Sequence, residues 1–185
     1  MAKTVTKRTM WHWASPDGVA PNKVVGRIAA SQGVFMPGAP FYRDTSGTWT
    51  LADTSDGTND NVHGFCVGAV NAATTWPLTA EQAVNTAMYF EEVDPADTYA
   101  CVVNLNAADA AATDALIGVD YGIDVDANAG TIGQTTMNTG DTTNVVVHVV
   151  DILSRVEPSK NTTSDSPGIA LVRFFAAKSS EGVAA

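Results

Sequence analysis

The chain has 185 residues, of which 45% are apolar, enough for one packed core but not for several domains. Twenty acidic residues stand against ten basic ones, a formal charge of −10, and a field of that sign excludes a whole-domain nucleic-acid binder. Two cysteines exclude a disulfide-stapled scaffold, and no run approaches the roughly 18 apolar residues of a membrane span.

Residues 1–30 read as an extended N-terminal arm. Met1 to Arg8 is basic, but no apolar stretch follows it, so a secretory signal is not expected and synthesis in a bacterial-type cytoplasm is. Five of the ten bases, Lys3, Lys7, Arg8, Lys23 and Arg27, fall in these 30 residues, against the single acid Asp17. Ser15-Pro16-Asp17-Gly18 and Pro21-Asn22 are turn signals. Beside them, Trp11 and Trp13 are large aromatics that call for burial, either in this chain's core or against a partner.

The β-rich body is expected over 31–176. Short runs rich in Val, Thr, Tyr, Phe and Trp are separated by turns: 33–35, 41–43, 48–51, 64–70, 87–93, 99–105, 117–125, 144–153 and 168–175. This pattern predicts an all-β fold, a small β-barrel or β-sandwich. Within it, 117–125 alternates apolar with small or polar residues as a half-buried strand does, and Asp126 to Gly130 follows as a hairpin loop. The near-continuous β-branched run from Val145 to Val150 is the best central strand. One or two short helices are expected, at Thr79–Gln82, which has a capping-box pattern, and in the Ala-rich 107–116. Residues 177–185 read as a flexible tail.

Charge divides the chain. From Asp44 to Ser154 there is no Lys or Arg, while 16 acids lie in that stretch. Basic ends can dock on an acidic partner while the acidic body keeps the molecule soluble.

The search for chemistry returns little. His12, His63 and His148 are far apart in three different contexts, each read as structural. Cys66 and Cys101 lie in apolar runs without Cys-x-x-Cys spacing and read as buried free thiols. Asp124-x-Asp126-x-Asn128 opens like a calcium loop, but Ala129 and Thr135 occupy the positions where Gly and Glu are needed. No phosphate loop, nucleophile elbow or zinc-protease motif occurs. No catalytic residue, cofactor or metal is therefore assigned.

Three features resemble the head-decoration (capsid cement) proteins of tailed bacteriophages. They are the Thr/Ala/Gly/Asp-rich β composition with its N-terminal arm, the stretch Ala115–Val125 with the following loop, and the closing pair Val145–Leu153 and Gly168–Phe174. The resemblance covers roughly residues 33–176 in style and rests on no single diagnostic residue. It implies a non-enzymatic virion structural protein that is made in the host cytoplasm and binds the outer surface of the capsid. The implied partners are the major capsid protein and further copies of the chain, commonly as a trimer, with neither nucleic acid nor membrane. Trp11, Trp13, Phe35, Met36, Phe41 and Tyr42 are the expected apolar anchors for such contacts, and Lys3, Lys7, Arg8, Lys23 and Arg27 the expected charged ones. The alternatives are another phage head or tail component, or a carbohydrate-binding or adhesion β-sandwich using Trp49, Trp76 and Tyr99 as sugar platforms. A small hydrolase on a β scaffold is the remaining reading, weakened by how few Lys, Arg and His are present to tune carboxylates.

Overall fold

The computed structural model describes residues 10–30, 32–35, 37–52, 62–71, 83–105, 108–126, 134–158, 162, 164 and 167–175. The chain is all-β, as expected. In order the strands are β1 (Met10–Ala14), β2 (Lys23–Arg27), β3 (Ala39–Arg43), β4 (Trp49–Leu51), β5 (Gly64–Ala69), β6 (Ala87–Glu92), β7 (Thr98–Leu105), β8 (Ala108–Asp109), β9 (Asp120–Asp126), β10 (Gln134–Asn138), β11 (Val147–Ile152) and β12 (Ile169–Phe174). Among the described residues helix is confined to a 3-10 turn, Asp114–Leu116, and one α-turn, α1 (Leu153–Val156). The helix expected over 107–116 is thus reduced to its last turn, because Ala108–Asp109 folds back as β8 onto the end of β7. Thr79–Gln82 lies outside the described residues. No helix among the described residues is long and apolar enough to cross a membrane.

The strands form two sheets. In one, β7 pairs with β10, β10 with β9, β9 with β11, β11 with β12, and β12 again with β7, so the ladder closes on itself as a five-stranded barrel. All these pairings are antiparallel except β7 with β10. β1 adds to the first half of β7 in the register Met10↔Cys101 and His12↔Tyr99. The other sheet has the order β2-β6-β5-β3-β4, and a single parallel bridge between Ile28 and Trp49 draws its two ends together. All five of its strands fall between β1 and β7 in sequence, so this curled sheet is an insertion into the barrel sheet.

Residues 10–30, the described part of the extended N-terminal arm expected over 1–30, supply one strand to each sheet. Their backbone donors and acceptors find ladder partners there, an outcome their local composition does not reveal.

Each sheet surrounds its own core. Tyr99, Cys101 and Val103 of β7, Ile123 of β9, Met137 of β10, Val147, Val149 and Ile152 of β11, and Ala170, Val172 and Phe174 of β12 fill the barrel. Ile28, Phe35, Ala39, Phe41, Trp49, Cys66, Met88 and Phe90 fill the curled sheet. Strict alternation along Val147-His-Val-Val-Asp-Ile152 would turn Asp151 inward and Ile152 outward. A register shift between Val149 and Asp151, with Val150 as the inserted residue, reverses the phase and buries Ile152.

Trp49 organises the second core. It is 1% exposed and stacks on Phe90 with ring centroids 4.1 Å apart and planes 7° from parallel. Gly26 of β2 lies against this ring, where a Cβ would overlap the indole Nε1 and Cδ1. Gly38, with φ +85°, brings the start of β3 onto β1, and a Cβ there would strike the Met10 carbonyl oxygen. The β3–β4 turn is tied by Asp44, whose carboxylate accepts the Thr48 hydroxyl (2.6 Å) and the backbone N–H groups of Ser46 and Thr48 (both 2.9 Å). These bonds, the Thr48 hydroxyl first, hold the Asp44 carboxyl below its ordinary pKa.

Replacing Gly26 by Ala forces a methyl into the indole and is expected to cost about 1–3 kcal/mol of stability by urea unfolding. Gly68→Ala, whose new Cβ meets only Tyr89 Cδ2 at ordinary contact (3.9 Å), is expected to stay within about 0.5 kcal/mol of the parent.

Candidate functional site

Two surface regions gather polar or exposed apolar side chains. The first is the neck where the chain leaves the barrel after β1 and returns before β7. Ser15, Asp17, Val19, Ala20, Pro21 and Asn22 on the outgoing segment face Glu92, Val93, Asp94 and Asp97 on the returning one, across a groove of about 250 Å³. Side chains stitch the two segments together. His12 Nε2 lies 3.2 Å from Asp97 Oδ2 and 2.9 Å from Ser15 Oγ, and the Ser15 hydroxyl donates to the Val19 carbonyl (2.7 Å). Asn22 donates to Glu92 (2.6 Å), and the Asp94 N–H donates to the Tyr99 hydroxyl (2.9 Å). Burial raises the Tyr99 phenol above its ordinary pKa, so it stays protonated in this role.

Ser15, His12 and Asp97 are the residue types of a hydrolytic triad, but their geometry is not that of one. A triad needs the hydroxyl and the carboxylate on opposite imidazole nitrogens, so that a proton taken from one side is stabilised from the other. Here both partners meet the same nitrogen, Nε2. The serine hydroxyl is also spent on the Val19 carbonyl, so the constellation fastens the neck. No group of three His, Cys, Asp or Glu side chains among the described residues is arranged to hold a metal ion.

The second region is the outer face of the curled sheet. β2 alternates so that Lys23, Val25 and Arg27 are exposed while Gly26 is buried. Val25 lies directly across from Tyr89 on β6, and Lys23 from Glu91, with Lys23 Nζ 3.5 Å from Glu91 Oε1. Val25 is 59% and Tyr89 39% exposed, and the exposed Val70 and Val84 lie near the same end of β6. Arg27 donates to the Asn85 carbonyl (3.2 Å). Two bases and two apolar side chains thus share one sheet face of a chain whose net charge is −10.

The residues expected as contacts separate into groups. Lys23 and Arg27 are exposed and share this face. Trp11 and Trp13 are half-buried on β1, Trp13 at a register shift. Tyr42 is half-buried against the barrel core. Phe35 and Phe41 are no surface anchors: both are 0% exposed, with ring centroids 4.9 Å apart in an edge-to-face pair inside the curled sheet. They belong to the short apolar runs 33–35 and 41–43 on either side of Pro37 and Gly38, and both side chains turn into the core rather than outward. Lys3, Lys7, Arg8 and Met36 lie outside the described residues. The sugar-platform reading loses its ground as well. Trp49 and Tyr99 are each 1% exposed and present no face to a ligand, and Trp76 lies outside the described residues. Val25 and Tyr89 were missed, although the Lys-Val-Val-Gly-Arg pattern at 23–27 does show the alternation that exposes Val25.

Cys66 and Cys101 are free and buried, one in each core. Burial pushes both thiols up to about 12.

No family model, no curated protein and no solved structure matches this chain.

A thiol reagent at pH 8 is expected to leave both cysteines unlabelled in the native protein and to label both after denaturation, read by mass spectrometry. Removing the Asp97 carboxylate (Asp97→Ala) takes away the His12 partner at the neck and is expected to cost about 1–3 kcal/mol in thermal unfolding.

Proposed function

We propose that this chain is a non-enzymatic structural protein of a tailed-phage virion, a decoration protein that binds the outside of the capsid and reinforces the shell. The observation that carries this reading is the outer face of the curled sheet. There Val25 and Tyr89 form an exposed apolar pair flanked by Lys23 and Arg27, on a chain whose net charge is −10. An exposed sheet face with an aromatic at its centre and charges at its rim suits docking onto another folded protein better than enclosing a small molecule. The neck supports the same reading in a different way, since its polar side chains are engaged with one another.

Shell reinforcement needs modest affinity repeated over many copies. Exposed ion pairs at Lys23 and Arg27 add about 0–1 kcal/mol each, so burial of Tyr89 and Val25 supplies most of each contact, and multivalency through homo-oligomers, of which a trimer is the leading form, supplies the rest. The capsid partner is the major capsid protein, and the site of action is the virion exterior.

The test uses assembled capsid shells stripped of the chain. The parent protein is expected to rebind in co-sedimentation, and Val25→Asp with Tyr89→Asp is expected to weaken rebinding at least about tenfold, equivalent to 1.4 kcal/mol per contact, with unchanged circular dichroism. Equal binding by parent and variant would remove this face from the interaction, and no binding by the parent would remove the capsid reading. Deleting residues 1–30 is not a clean test, because it removes β1 and β2 with the arm.

A further inference from the structure

His63 is buried (2% exposed) just before β5, and neither the proposed docking face nor the neck makes use of its side chain. Its backbone N–H donates to the Phe41 carbonyl (2.8 Å), and its carbonyl accepts the Val93 N–H (3.0 Å). Its ring continues the ladder. The Arg43 N–H at the end of β3 donates to His63 Nδ1 (2.6 Å), so the imidazole stands where a strand carbonyl would otherwise be. A backbone N–H can only donate, which makes Nδ1 the acceptor and places the ring proton on Nε2. That Nε2 is buried and finds no hydrogen-bond partner among the described residues.

We propose that His63 is an acid-sensitive latch on the curled sheet: a proton taken from solvent by Nδ1 abolishes the Arg43 N–H···Nδ1 bond and releases the end of β3 from the segment that leads into β5. The bond and the proton compete for one lone pair, so the conflict is built into the geometry. Burial, with the Arg43 charge adding to it, holds the His63 imidazole below its ordinary 6.5. The charges nearest in register on β6 are committed elsewhere, Glu91 to Lys23 and Glu92 to Asn22, and no carboxylate among the described residues pairs with His63. The other two histidines each face a carboxylate instead: His12 Nε2 lies 3.2 Å from Asp97 Oδ2, and His148 Nδ1 lies 2.6 Å from Asp120 Oδ1.

The sign follows from linkage. With the folded pKa below the unfolded one, the released state binds more protons, so the latch contributes fully above pH 6.5 and weakens as pH falls from there toward the folded value. The opening equilibrium is expected to rise up to about tenfold per pH unit across that window.

The test is urea unfolding of the full chain between pH 7.5 and 5.5, alongside His63→Asn, whose amide oxygen can accept the Arg43 N–H without titrating. The parent is expected to lose stability over this range and the His63→Asn protein to lose most of that slope. An unchanged slope in His63→Asn, or a flat parent, overturns the latch. Nitrogen NMR of the parent imidazole gives a reading that does not depend on the variant folding. Nδ1 is expected to stay unprotonated for as long as the Arg43 amide remains protected, and protonation with that amide still protected overturns the proposal.

Discussion

Strands β3 and β5 form a wall with a core on each side, and the rest of the molecule is arranged around that requirement. Phe41 and Cys66 point into the curled sheet, while Phe65 and the half-buried Tyr42 pack on the barrel core. A strand buried on both faces has no room for charge at either phase, which is why Ala39-Pro-Phe-Tyr42 and Gly64-Phe-Cys66 read as continuous apolar or small runs. Pro40 is tolerated in this wall because it meets β4 only at the end of their pairing. There the Ala52 N–H donates to the Pro40 carbonyl (2.9 Å), and the missing proline N–H costs a terminal bond rather than a central one.

With both inner surfaces of the wall committed, function is left to outer faces and loops. The neck is polar because two connecting segments must run side by side there and satisfy their own backbone groups. Its histidine, serine and carboxylates are drawn together by that need, and their shared use of one imidazole nitrogen marks them as fasteners. The outer face of β2 and β6 has no such internal obligation. Its apolar pair is surplus to folding, which is the property that separates a docking surface from a core.

The sequence made most of the strands legible, and for a physical reason. β5, β6, β7, β9, β11 and β12 are runs of β-branched, aromatic or alternating residues bounded by turns, and their own composition announces them. β10 does not announce itself: Gln134-Thr-Thr-Met-Asn138 is mostly polar, and its place is set by β7 and β9 on either side. β1 was unreadable for a related reason. Its partner β7 lies beyond the whole curled sheet in sequence, and no local pattern encodes a pairing that distant. The proposed docking face was half legible. Lys23 and Arg27 were visible as charges, but Val25 and Tyr89 become a pair only through the β2–β6 register.

The placement of the curled sheet between β1 and β7 also sets an order in time. Strands β2 to β6 are contiguous in the chain, Lys23 to Glu92, so a ribosome delivers that sheet complete before it delivers β7. β7 must then wait for β12, Ile169 to Phe174, before the barrel closes, an interval of several seconds at about 5–20 residues per second. During that interval one edge of β7 lacks its final partner, and the parallel contact with β10 forms only after β9 has turned back. The nascent chain therefore carries a finished half and an open half together. Its exposure to misassembly is concentrated in the second half, the one built from the longer-range pairings.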